Sequence, residues 1–248
     1  MKIAIVTGAS RGIGKSIALN IAKRGVGVIL TYNGHSEEGH AVAEEIKKLG
    51  GKAVALKFDS SMTNTFNEFA KEVEKNLEQH FGRNSFDYLV NNAGISGARG
   101  PILETTEEQF TELVNINLKG PFFLTQKLVP LMAEGGHIIN ISSGLTRFSY
   151  PNVAVYGSLK CALEGFTRYF AKEFASRKIR ANSVAPGAID TDFGGGKDPI
   201  MKKGIGEMTA LGKIGEAEDV GVFVASLLSD DSRFLNAQRI EVSGGIYI

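Results

Sequence analysis

Tyr156-Gly157-Ser158-Leu159-Lys160 sets a phenol and an ammonium four residues apart in a helical pattern, so both project from one face, a turn apart. That pair suits proton transfer to a carbonyl oxygen. A phenol with an ordinary pKa of about 10 is a weak acid near neutrality, and a neighbouring cation is expected to favour the tyrosinate and lower that value. Alone, a tyrosine packed on a lysine stem would give the same spacing. Near the start of the chain, Thr7-Gly8-Ala9-Ser10-Arg11-Gly12-Ile13-Gly14 runs straight into an amphipathic stretch. Glycines there let backbone N–H groups and a helix N-terminus approach a pyrophosphate, although an ordinary turn with close helix–strand packing would use them too.

These residues need elements to position them. Short β-branched runs alternate with longer helical patterns from end to end, the pattern of repeated βαβ units and a mostly parallel sheet. Strands are predicted near 2–7, 26–32, 53–58, 87–90, 137–142, 179–184 and 239–242, apolar on both faces as strands covered on both sides should be. Helices are predicted near 13–24, 37–49, 65–79, 107–132, 153–176 and 217–228. The stretch 192–215 is glycine-rich and long for a βα connection, which points to a mobile substrate lid.

Composition removes several function classes. With 28 Lys+Arg against 27 Asp+Glu, the net charge of +1 provides no basic field for nucleic acid. No apolar run approaches a membrane span, and the N-terminal residues lack a signal peptide's pattern, so a cytoplasmic location is expected. One cysteine, Cys161, excludes an internal disulfide and reads as a packing residue. His35, His40, His80 and His137 show no metal-ligand spacing, so no metal is expected. Glycine is in surplus, 30 of 248 residues against a usual share of roughly 7%.

Taken in order, the TG-x3-G-x-G turn, Asn91-Asn92-Ala93-Gly94, Ser143, and Tyr156 with Lys160 resemble the short-chain dehydrogenase/reductase family over essentially the whole chain. The resemblance implies one doubly wound α/β Rossmann domain, residues 1–248, with a seven-stranded parallel sheet flanked by helices. It implies reduction of a carbonyl to an alcohol by hydride transfer from a nicotinamide cofactor, with Tyr156 as proton donor. Lys160 would also hold the nicotinamide ribose, and Ser143 would orient the substrate, Ser142 lying one residue too far. Asn117, within Asn115-Ile116-Asn117-Leu118-Lys119-Gly120, would hold a proton-relay water. The cofactor residues carried over are Gly8, Ser10, Arg11, Gly12, Ile13 and Gly14 at the phosphates, Asp59 at the adenine, and Asn91, Ala93 and Gly94 in a segment that would steady the sheet and line the adenosine side. Pro186, Gly187, Ile189 and Thr191 would meet the nicotinamide carboxamide, with Tyr156 and Lys160 also touching the cofactor. Asp59 could equally cap a helix. Leu30–His35 carries no acid for a ribose 2′-hydroxyl, and Arg11 suits a 2′-phosphate, so NADP(H) is expected over NAD(H).

Substrate identity is less determined. Val242-Ser243-Gly244-Gly245-Ile246-Tyr247 is similar to the ends of 3-oxoacyl-[acyl-carrier-protein] reductases, enzymes of fatty acid biosynthesis. Substrate contacts are expected from Ser96, Arg99, Arg147, Phe148, Tyr150 and the lid. Met132–Gly136 holds no basic residue for an acidic carrier protein, leaving Arg177 and Lys178, so docking of acyl carrier protein is expected to be weak or absent. The alternatives are a carbonyl or glucose-type sugar dehydrogenase, and a non-catalytic dinucleotide-binding redox sensor. The family resemblance also implies a homotetramer or homodimer joined through the two long helices and the last strand.

Overall fold

The seven apolar runs pair into one all-parallel sheet of order β3-β2-β1-β4-β5-β6-β7 in a computed structural model that describes residues 1–193 and 198–248. These strands are β1 (Ile3–Val6), β2 (Gly27–Tyr32), β3 (Ala53–Lys57), β4 (Phe86–Asn91), β5 (Met132–Ile141), β6 (Arg180–Pro186) and β7 (Arg239–Val242). Alternation along each strand feeds two cores. Ala4, Val6, Val28 and Leu30 pack on one face against α1 (Gly12–Lys23), α2 (Ser36–Lys48) and α8 (Ala217–Leu227). Ile3, Ile5, Ile29 and Leu89 pack on the other against α3 (Phe66–Asn76), α5 (Gly120–Leu128) and α6 (Ala154–Glu173). Both faces are covered, which is why these strands read as continuous apolar runs. Strand order reverses between β1 and β4, so the connections leaving their carboxyl ends part and open a crevice there.

Three expectations change. The helix predicted over 107–132 is interrupted: α4 (Glu107–Val114), begun by a Thr106/Gln109 capping box, passes through a π turn at Asn115–Lys119 before α5. Pro121 starts α5, and a Cβ on Gly120 would lie 2.6 Å from the Ser60 carbonyl oxygen, so the chain must bend where it crosses the β3 loop. Strand β5 begins five residues early, with its register broken between the Phe86 and Tyr88 pairings. Within the stretch expected to be irregular lies α7 (Pro199–Glu207), with Asp198 as its N-cap accepting from Ile200 N at 2.9 Å. Asp-Pro is a helix-start signal that the glycine content obscured. Residues 194–197 of the expected lid lie outside the described residues.

Candidate active site

The cleft outside the carboxyl ends of the strands has a volume of about 1380 Å³. Its first wall is the turn after β1. Gly8 has φ +63°, and a Cβ there would sit 2.9 Å from Ala93 Cα; one on Gly14 would sit 2.3 Å from the Gly8 carbonyl oxygen. Thr7 Oγ1 accepts from the backbone N–H groups of Asn92 and Ala93 at 2.9 and 3.0 Å, and Asn92 Nδ2 donates to the Thr7 and Gly8 carbonyls at 2.9 and 3.0 Å. The turn is thus held rigidly against the loop that follows β4. Arg11, at the N-cap of α1, makes no side-chain cap, and the first turn contains no acid. Its N–H groups and the positive end of the helix dipole are left for an anion, and Ser10, Gly12, Ile13 and Gly14 line the cleft beside them. These residues fit a dinucleotide pyrophosphate. Arg11 Nη1 lies 3.8 Å from Asp192, both exposed, and no acid lies among the β2-end residues Tyr32–His35 on the cleft wall. Asp59 lines the cleft and accepts from both Ser61 N and Ser61 Oγ, so it also holds its own turn.

Neither Asn91 nor Asn117 lines the cleft. Asn91 is buried away from the cleft: its Nδ2 donates to Thr125 Oγ1 and Asn140 Oδ1 at 3.0 and 2.8 Å, in a polar ladder that continues through Thr167 to Ser183. It braces the sheet, and its neighbour Asn92 reaches the cofactor turn because side chains alternate along the strand end. Asn117 is fully buried, with Nδ2 on the carbonyls of Ile95 and Leu113 and Oδ1 accepting from Ile95 N. Its side chain fixes the loop behind Gly94, whose Cβ would lie 2.8 Å from Asn117 Oδ1 and 3.7 Å from Lys160 Nζ.

Tyr156 and Lys160 share one face at the start of α6 and are only 8% and 4% exposed. Lys160 Nζ donates to the Ile141 carbonyl at 2.9 Å and sits 5.6 Å from the Tyr156 ring centre. Burial pushes the Tyr156 phenol well above its ordinary value, opposed only by a hydrogen bond with Ser143. Burial also lowers the Lys160 ammonium to about 8. The expected depression of the tyrosine by its lysine is therefore reversed: the ammonium is directed at a carbonyl, and loss of water dominates the phenol. Ser143, rather than Ser142, faces the tyrosine, because Ser142 Oγ donates to Glu164 at 2.6 Å. Glu164, one turn beyond Lys160, also accepts from Thr146 and Arg239, a role signalled only by its i+4 spacing.

Pro186, Gly187, Ile189 and Thr191 line the cleft after β6, with Ile189 bridged to Gly215. Ser96, Arg99, Phe148 and Tyr150 also line the cleft, joined by Met201, Lys202 and Ile205 of α7, within the stretch expected to form the lid. Arg147 turns away: its guanidinium is bound to Glu241 at 2.8 and 2.9 Å and to the carbonyls of Ile246 and Tyr247. Arg177 and Lys178 precede β6, at the sheet end opposite the cleft, where Arg177 caps the carbonyls of Val129 and Met132 and Lys178 pairs with Glu134 at 2.7 Å. They offer no docking surface beside the site. Among the described residues no His, Cys, Asp and Glu cluster could hold a metal.

A family model described as enoyl-(acyl carrier protein) reductase matches residues 8–247. The hydroxynaphthalene reductase-like protein Arp2 of Metarhizium majus is 37% identical over 258 aligned residues, spanning 98% of this chain and 94% of its own. The 3-oxoacyl-[acyl-carrier-protein] reductase FabG of Staphylococcus epidermidis is 38% identical, spanning 100% of this chain and 99% of its own. The crystal structure of the angucycline C-6 ketoreductase LanV with bound NADP matches with a TM-score of 0.94 and 36% identity, over 99% of this chain and 95% of that one. A glycine turn braced on the β4 loop, a buried tyrosine–lysine pair beside a serine, and similarity along the full length agree: the chain belongs to the short-chain dehydrogenase/reductase family of enzymes.

Proposed function

We propose that the protein reduces a ketone to a secondary alcohol with NADPH, Tyr156 delivering the proton. The observation that carries this reading is the buried Tyr156 phenol, beside Ser143 and Lys160 in the same cleft as the uncapped start of α1. When bound, the reduced nicotinamide supplies the hydride that goes to the carbonyl carbon. The chain supplies the rest. A phenol pushed up by burial stays protonated at neutral pH, the state a proton donor requires, and Ser143 holds the carbonyl oxygen against it. Lys160, poised near 8, keeps an exchangeable proton beneath the tyrosine ring.

NADP is favoured over NAD by Arg11. Its exposed contact with Asp192 at 3.8 Å is worth little, so a 2′-phosphate, which can take two charge-assisted bonds, displaces it readily. The NADP-bound ketoreductase neighbour supports the same choice. Gly187, Ile189 and Thr191, which line the cleft, would hold the carboxamide, and α7 is the segment we assign as the substrate lid. A soluble, cytoplasmic homotetramer or homodimer is the assembly expected of such an enzyme.

A 3-oxoacyl thioester is the second reading, favoured by the FabG relative. Carrier-protein docking has no support beside the cleft, since Arg177 and Lys178 are committed elsewhere. Turnover of a 3-oxoacyl carrier protein should not exceed that of its free thioester; a large preference for the carrier form would make the protein a fatty-acid reductase. Oxidation of NADPH on addition of a ketone, abolished in Tyr156→Phe with cofactor binding retained, tests the reductase reading against a non-catalytic redox sensor.

A further inference from the structure

Four large apolar side chains, Tyr150, Phe193, Tyr247 and Met208, line the cleft yet remain 50, 45, 39 and 36% exposed. Apolar groups left to water on a concave wall mark a ligand surface. Three already have partners: Phe193 lies 5.7 Å from the Tyr156 ring, and Tyr247 lies 4.7 Å from Phe148 with its hydroxyl on Met208 Sδ. Tyr150 has no ring neighbour among the described residues, so its face is open.

The charge at this end is also uneven. Gly100 N donates to Asn152 O at 3.2 Å, which holds the Arg99 loop beside the loop bearing Tyr150. Arg99 lines the cleft and makes no ion pair or hydrogen bond among the described residues, whereas Lys202 is bound to Asp190 at 2.6 Å. A free guanidinium donates two parallel bonds to a carboxylate, or two converging ones to a phenolate oxygen.

Resting on the reductase reading above, we infer that the substrate is a planar aromatic ketone bearing an acidic group, its rings against Tyr150 and the Phe148–Tyr247 pair and its anion on Arg99. Flat aromatic faces favour a rigid ring system, which buries flat area without the rotamer freedom an acyl chain would lose. The cofactor supplies both electrons and solvent the net proton: the carbonyl carbon takes hydride, its oxygen takes the Tyr156 proton, a proton from water restores the phenol, and NADPH becomes NADP⁺.

NADPH oxidation by the full chain can be followed with three probes: β-tetralone, a tetralone carboxylate and acetoacetyl-coenzyme A. The carboxylate should show the highest kcat/KM, about tenfold or more above the thioester. Arg99→Ala should lower the carboxylate value by about 10–100-fold and leave β-tetralone within about twofold, with Arg99→Lys in between. A thioester preference, or equal losses on both tetralones in Arg99→Ala, would overturn the substrate class while leaving the reductase standing. No oxidation with any probe would remove the reductase reading as well.

Discussion

The Ser142 hydroxyl donates to the Glu164 carboxylate across 2.6 Å, fastening the strand end that leads into Ser143 to the helix that carries Tyr156 and Lys160. Thr146, on the far side of Ser143, donates to the same carboxylate oxygen at 2.9 Å, and Arg239 from β7 balances its charge at 3.1 Å. One side chain thus clamps both ends of the serine loop. Glu164→Ala should lower kcat about tenfold, with about 1–3 kcal/mol of stability lost as Arg239 gives up a buried partner. Glu164→Gln, which still accepts both hydroxyls, should recover most of the kcat. Unchanged kcat in the folded alanine variant would show that the clamp does not position Ser143.

Replacing Tyr156 by Phe removes the proposed proton donor and leaves the packing against Phe193. Turnover should fall by about 10²–10⁴-fold. NADPH affinity, read by nucleotide fluorescence, should stay within about threefold. Full activity in this variant would assign the proton to another group.

Lys160 makes the folded protein's stability depend on pH in a defined window. Its folded-state pKa is about 8 against 10.5 in an unfolded chain, so between these values the unfolded state binds more protons and stability rises with pH. Tyr156 is raised, so its contribution has the opposite sign and acts only above about 10. Urea unfolding from pH 8 to 10 should show the wild type gaining stability relative to Lys160→Met by on the order of 1 kcal/mol per pH unit. Parallel curves would mean that the ammonium keeps its water.

Gly14→Ala tests the phosphate turn. The added Cβ would meet the Gly8 carbonyl oxygen at 2.3 Å, a backbone atom that cannot swing aside. Thermal unfolding should report a loss of about 1–3 kcal/mol, accompanied by weaker NADPH binding. Normal stability and affinity would show that the turn has slack.

Arg11→Ala should raise KM for NADPH about 10–100-fold while leaving KM for NADH nearly unchanged, because only the 2′-phosphate loses a partner. Equal changes for both cofactors would instead place Arg11 on the shared pyrophosphate.

The sequence by itself determined the alternating β and α elements, because two-sided burial writes continuous apolar strands and strand ends must carry glycines wherever backbones meet. It also marked Ser143, Tyr156, Lys160 and the Gly8–Gly14 turn, whose roles depend on spacing within one element or one strand-to-helix passage. Tertiary structure decided what depends on direction and on partners distant in the chain. Asn91 turns into the Asn140–Thr167–Ser183 ladder while Asn92 reaches the turn, and a strand's alternation cannot be phased until its neighbours are known. Arg147 and Arg177, which read as free charges, are consumed by Glu241 and by backbone carbonyls 45 or more residues away in the chain. The ionisation of Tyr156 and Lys160 reversed the local expectation for the same reason: adjacency in a helix sets which charges can meet, but the water excluded by the surrounding elements sets what each charge costs.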